Sequence, residues 1–159
     1  MTALRSDSAA ATEAYGAVLG AALRRGDILG LNGPLGAGKT CLARGIIAGA
    51  GGDPTAVRSP TFVLDQPHRG EHLQVHHIDL YRLGSGATLD VIDLDTVLDE
   101  GAAVIEWAEY ADLTEFAGAT IAIDAPPSDD GSRVLRLSGA TPMHIARAWA
   151  SLVEAAAYG

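Results

Sequence analysis

The sequence predicts an α/β fold: a single domain, residues 1–159, with a mixed parallel and antiparallel sheet flanked by helices. Three observations carry this. Short apolar runs of strand length alternate with longer helix-patterned segments, as in layered α/β domains. A glycine-rich run with one lysine, Gly33-Pro34-Leu35-Gly36-Ala37-Gly38-Lys39-Thr40, lies between such a strand and such a helix. No internal repeat or linker divides a chain whose length can bury most of its apolar surface without disulfide or metal staples.

The elements follow in order. Ser8 to Arg25 is rich in Ala and Leu and runs into Gly26, a residue suited to a helix C-terminus, so a helix is expected there. Asp27 to Asn32 reads as a short buried strand, and Cys41 to Ala48 as the helix after the glycine-rich run, ending near Gly49-Ala50-Gly51-Gly52. Thr61 to Asp65 and Leu73 to Asp79 predict two antiparallel strands joined around His68-Arg69-Gly70. After the break at Gly84-Ser85-Gly86 comes a weakly helical acidic stretch, Leu89 to Leu98, and then a short strand, Ala102 to Glu106. Two further strands, Thr120 to Asp124 and Arg133 to Leu137, flank the turn-forming residues Pro126 to Gly131. Pro142 opens a last helix, Met143 to Ala157, with Ile145, Trp149, Leu152 and Val153 on one face.

Gly33 to Thr40 is a complete G-x-x-x-x-G-K-T phosphate-binding loop, which makes the expected fold P-loop NTPase-like. Its glycines let the backbone wrap an anion with N–H groups pointing inward. The lysine reaches the β- and γ-phosphates, the threonine hydroxyl is a Mg²⁺ ligand, and the helix N-terminus that follows favours negative charge. Lys39 is the only lysine of the chain, so a compact ammonium stands only where that chemistry wants one. The guanine-reading N-K-x-D motif is therefore impossible, and ATP is the expected nucleotide.

Hydrolysis also needs carboxylates at strand ends to position Mg²⁺ and the attacking water. Asp79 and Glu106 each close a predicted strand and are the catalytic and metal-binding candidates beside Thr40. Thr61, in Ser59-Pro60-Thr61-Phe62, is placed to sense the γ-phosphate as switch loops do. His76 and His77 are strand neighbours facing opposite sides, which argues against joint metal ligation with His72. Trp107 either stacks on a base or partner or packs in the core; Trp149 belongs to a core stripe.

Twenty acidic against eleven basic residues, a formal charge of −9, argue against a sequence-independent grip on nucleic acid. Any RNA in this protein's pathway is expected to be held by another subunit. Cys41 is the single cysteine, so no intrachain disulfide forms, and it is expected to pack as a small apolar residue in a reducing cytoplasm. Met1 to Ala11 lacks the pattern of a secretory signal, and no run of about 18 apolar residues predicts a membrane span.

Four segments in this order, the loop Gly33 to Thr40, Ser59-Pro60-Thr61-Phe62, His77-Ile78-Asp79-Leu80-Tyr81-Arg82-Leu83 and Ile105-Glu106-Trp107, resemble the landmarks of the bacterial tRNA threonylcarbamoyladenosine (t6A) biosynthesis ATPase family TsaE, also called YjeE. Thr12 and Gly16 match its T-x-x-x-G helix start. The resemblance implies a small Mg-ATPase, weak alone and stimulated by the partner subunits TsaB and TsaD, with tRNA met only through those partners and no membrane or DNA involved. By that resemblance Thr12, Gly33, Pro34, Leu35, Gly36, Ala37, Gly38, Lys39, Thr40, Cys41, Trp107 and Arg133 bind the nucleotide, Thr12 on the base side. Thr61 is then the switch residue, and Asp79 and Glu106 are the catalytic or metal-linked carboxylates. The chain departs from the family pattern at Pro34, where an aspartate is usual, and at Ala108, where a proline is usual. It also lacks an aromatic near Pro67-His68 and a glycine-rich start at Asp93-Leu94-Asp95. The departures bear on partner contacts more than on nucleotide chemistry.

Two other classes compete with this reading. A nucleotide-dependent binding module would need occupancy and not turnover. A small-molecule kinase would need an arginine-bearing lid, whereas the arginines here are scattered beyond Arg24-Arg25.

Overall fold

Strands that are covered on both faces read as unbroken apolar runs, and Ala102-Ala103-Val104-Ile105 is such a run. In the computed structural model, which describes residues 3–58, 64–86, 92–113, 116, 118–126 and 130–158, it forms the buried strand β5. The described elements are β1 (Leu4–Ser6), α1 (Ala9–Ala22), β2 (Ile28–Asn32), α2 (Lys39–Gly49), β3 (Asp65–His68), β4 (Val75–Asp79), α3 (Leu94–Glu100), β5 (Ala102–Glu106), β6 (Ala119–Asp124), β7 (Arg133–Gly139) and α4 (Met143–Tyr158). Among the described residues the strands form one seven-stranded sheet in the order β1-β7-β6-β2-β5-β4-β3. The centre β6-β2-β5-β4 is parallel, and β7, β1 and β3 are added antiparallel at the two sides.

Alternation along the strands divides the core in two. Leu29 and Leu31 of β2, Val104 of β5 and Ile121 and Ile123 of β6 pack with α1, α2 and α4. Ile28, Ile78, Ala103 and Ile105 pack on the other face with α3 and with Ala108, Tyr110, Leu113 and Phe116. Glu106 shares the parity of Val104, and Asp79 that of Val75, so both carboxylates lie on the α2 side of the sheet.

Several boundaries differ from the sequence expectation. The first helix stops at Ala22, because Leu23 turns out of the helical region (ψ 145°) and the Asp27 carboxylate accepts from the Arg24 N–H. Strand β1 is three residues long and too short to show periodicity; Ser8 caps the helix after it by accepting from the Ala11 N–H at 3.1 Å. The hairpin partner of β4 is Asp65–His68, later than the expected Thr61 to Asp65, of which residues 61–63 lie outside the described residues. Pro67 is tolerated because β3 is the edge strand among the described residues, where a missing N–H breaks no ladder. The acidic stretch expected at Leu89 to Leu98 is helical over Leu94–Glu100, started by Asp93, whose side chain accepts from the Thr96 N–H; residues 87–91 lie outside the described residues.

Candidate functional site

The site is built where β2 ends. Gly33, Gly36 and Gly38 all have positive φ (154°, 79° and 108°), and a Cβ on Gly33 would strike the Ile123 carbonyl. The run therefore curls between β2 and α2 as a phosphate loop must. Lys39 begins α2 and folds back over the loop, its Nζ donating to the carbonyls of Gly33 (2.6 Å) and Pro34 (2.8 Å). It also stands 4.0 Å over the ring of Trp107.

Glu106 and Asp79 are direct neighbours across the parallel pair β4–β5. Thr40, second residue of α2, donates its hydroxyl to Glu106 Oε1 at 2.9 Å. His77 lies 2.5 Å from Glu106 Oε2. Asp79 accepts from the Tyr81 N–H at 2.9 Å. A cavity of about 380 Å³ is lined by Leu35, Lys39, Thr40, Asp79, Glu106 and Trp107, among others.

The charges stand close together and are poorly hydrated. Burial pushes the Lys39 ammonium below its ordinary pKa, opposed by Glu106, Glu109 and Asp79. Burial likewise raises the Asp79 carboxyl; the Tyr81 N–H opposes this, and the neighbouring Glu106 charge adds to it. Glu109 is exposed at the rim, yet partial burial of its carboxyl raises it as well, with Lys39 acting against this. A lysine and carboxylates held in a part-dry cleft interact more strongly than they would in water.

Trp107 is the single non-glycine residue with positive φ (59°) among those described. It is half-buried, with ring centroids 4.9 Å from Tyr81 and 5.1 Å from Tyr110. The left-handed turn carries the chain out of β5 and sets the indole against Lys39. Of the two roles open to it from sequence, core packing or stacking at the site, this placement is at the wall of the cleft.

The loop, Lys39, Thr40, Asp79, Glu106 and Trp107 thus come together around one cavity. Thr12 and Arg133 line a second one, about 470 Å³, which shares Gly38 and Cys41 with the first. The Thr12 hydroxyl is engaged within the protein, 2.6 Å from Ser6 Oγ and donating to the Ser8 carbonyl. Arg133 turns onto the loop itself, donating from Nε to the Ala37 carbonyl at 2.8 Å. Cys41 is half-buried, its thiol directed at the Ala9 carbonyl (3.3 Å) and raised in pKa by burial. Thr61 lies outside the described residues.

His76 and His77 face opposite sides, as their adjacency requires. His76 bonds Asp65 and Glu100, and His77 bonds Glu106. Sequence reasoning weighed His77 only as a metal ligand and missed it as a partner of Glu106. The available signal was the spacing His77-x-Asp79, which puts both on one face of β4. Tyr81, Tyr110 and Glu109 were also missed; each enters through a short 3₁₀ turn, Tyr81–Leu83 or Ala108–Tyr110, whose position periodicity does not show.

The family described as "Threonylcarbamoyl adenosine biosynthesis protein TsaE" matches residues 6–134. A Treponema pallidum protein named tRNA threonylcarbamoyladenosine biosynthesis protein TsaE is 35% identical over 134 residues, covering 84% of this chain and 97% of its own length. Proteins of the same name from Mycobacterium leprae and Mycobacterium tuberculosis are each 44% identical, over 105 and 108 residues. Those matches cover 60% and 62% of this chain, and the chain spans 65% and 63% of the two mycobacterial proteins. The crystal structure of Bacillus subtilis YdiB superposes with a TM-score of 0.72 at 23% identity, over 96% of this chain and 94% of that one, which establishes the shared fold.

Proposed function

Because the chain belongs to the TsaE family, we propose that it is a Mg-dependent ATPase subunit of the t6A tRNA modification machinery, working with TsaB and TsaD. The observation that carries the ATPase reading is the meeting of Thr40 with Glu106 at 2.9 Å, beside Asp79 and at the mouth of a phosphate loop. The relatives' names support the pathway. The formal charge of −9 supports a route to tRNA through the partners.

The residues fit both groups. Thr40, Asp79 and Glu106 offer only oxygen donors, the type Mg²⁺ takes, and the left-handed glycines turn loop amides toward an anion. Bound Mg²⁺ supplies neutralisation of phosphate charge during transfer. Lys39, already buried, would exchange its loop carbonyls for phosphate oxygens, and Thr40 and one of the two carboxylates would hold the metal. Glu106 orients the water whose oxygen bonds to the γ-phosphorus as the bond to the bridging oxygen breaks, and it accepts that water's proton. Trp107 walls the cleft and keeps Lys39 in place from the side.

The test is single-turnover hydrolysis of Glu106→Gln with TsaB and TsaD present, beside an ATP titration. Glu106→Gln is expected to slow hydrolysis of bound ATP about 10²-fold or more while leaving affinity nearly unchanged. Collapse of binding with an unchanged rate on bound nucleotide would make Glu106 structural and pass its role to Asp79. Stoichiometric occupancy with no turnover in the wild type would favour a binding module instead. Calorimetry is expected to show ATP bound more tightly than GTP.

A further inference from the structure

His77 reaches the site from inside the core. It stands on β4 two residues before Asp79, on the same face, and is 0% exposed. Its Nε2 is 2.5 Å from Oε2 of Glu106, itself 2% exposed. The contact needs one proton between the two atoms, and the Nε2–H tautomer of His77 supplies it with Glu106 accepting. The other ring nitrogen, Nδ1, is buried without a partner. Gln66, opposite His77 in the β3–β4 register, and His68, with ring centroids 6.3 Å apart, pack nearby. Gln66 Oε1 and His68 Nε2 likewise lack partners, so neither holds the imidazole. Glu106 is the one hydrogen-bond partner of this ring among the described residues.

Glu106 is thereby held from two sides, by the Thr40 hydroxyl on α2, 2.9 Å from Oε1 and 3.1 Å from Oε2, and by His77 on β4 at Oε2. A buried carboxylate needs such donors, because leaving it unpaired is costly. The two donors differ in permanence. Thr40 lines the open cavity, where a ligand competes for its hydroxyl, whereas His77 is fully buried and has no second partner among the described residues.

We propose that His77 is a positioning residue for hydrolysis: its Nε2–H fixes the Glu106 carboxylate from within the core, so that the free edge stays aimed at the loop when Thr40 is engaged elsewhere. This rests on the reading of Glu106 above. The test compares His77→Phe, which has no donor, with His77→Gln, which keeps an N–H, each alone and combined with Glu106→Gln. Mg·ATP affinity and single-turnover rate with TsaB and TsaD are measured for each. A third readout is the ring-nitrogen NMR signal of His77 in the nucleotide-free protein. His77→Phe is expected to slow bound-ATP hydrolysis about 10- to 100-fold, the usual effect of losing an outer-shell partner. Affinity is expected to hold within about threefold, and His77→Gln to restore most of the rate. In the Glu106→Gln background His77→Phe should cost nothing further, and the wild-type Nε2–H signal should shift when Glu106 is changed. Equal losses in Phe and Gln, full additivity with Glu106→Gln, or an unmoved Nε2–H signal would overturn the role of His77. Wild-type turnover in Glu106→Gln sinks the reading of Glu106 itself. Slow turnover there with an unimpaired His77→Phe sinks only the positioning role.

Discussion

Asp79 and Glu106 are two carboxylates side by side, and their surroundings treat them differently. Glu106 has donors on both oxygens, while Asp79 has the Tyr81 N–H on one. Burial and the Glu106 charge raise the Asp79 pKa above its ordinary value. A raised acid favours the fold in its protonated form; that contribution is complete below the unfolded pKa of about 3.9 and is lost as pH rises through the folded pKa. Near neutrality the ionised Asp79 therefore costs stability. Asp79→Asn is expected to raise the melting temperature of the nucleotide-free protein at pH 7, with the gain shrinking steadily toward pH 4. Melting curves across that range check it, and a pH-independent difference would place the cause in packing and not in charge. The same variant should lose Mg²⁺ dependence of hydrolysis, since a neutral amide is a weak ligand for a hard cation.

Helices α1 and α2 set the loop's position, and they meet through glycines. A Cβ on Gly20 would strike the Ile46 backbone, one on Gly45 the Glu13 carbonyl, and one on Gly49 the Ala17 carbonyl. In an isolated helix Gly→Ala gains about 1 kcal/mol from propensity. Here the close backbone approach decides the sign, because the neighbouring atoms are main chain and cannot rotate away. Gly20→Ala and Gly45→Ala are each expected to destabilise by about 1–3 kcal/mol or more, the cost of overpacking, measured by denaturant midpoint. Gly45→Ala should also weaken ATP binding, since any shift of α2 moves Lys39 and Thr40 at its N-terminus. A stabilised Gly20→Ala would show that the helices separate without penalty.

At the scale of the molecule, four parallel strands point their C-terminal ends at one edge of the sheet, where α/β folds place ligand-facing residues. A ligand that binds only the folded state stabilises all of it. Mg·ATP at a hundredfold excess over its Kd is expected to add about 2.7 kcal/mol, roughly 5–10 °C for a domain of this size. Lys39→Ala should abolish that shift. It should leave the nucleotide-free melt near wild type, because burial already disfavours the Lys39 charge. A full ATP-induced shift in Lys39→Ala would remove the loop from the binding site.

By itself the sequence determined the phosphate loop, the helix after it, the strand Ala102–Glu106 and the carboxylates that end two strands. These follow from local rules: glycine where φ is positive, an apolar run where both faces are covered, and a charged residue where the strand leaves the core. It could not reveal that Pro67 belongs to a strand, because that depends on β3 lying at the edge. Nor did it show Arg133 braced on the Ala37 carbonyl, 96 residues away in the chain, or Thr12 turned to Ser6. The partnership of His77 with Glu106 was decided only when β4 was laid beside β5, since two residues 29 apart in sequence carry no mutual signal until sheet pairing brings their side chains to one face.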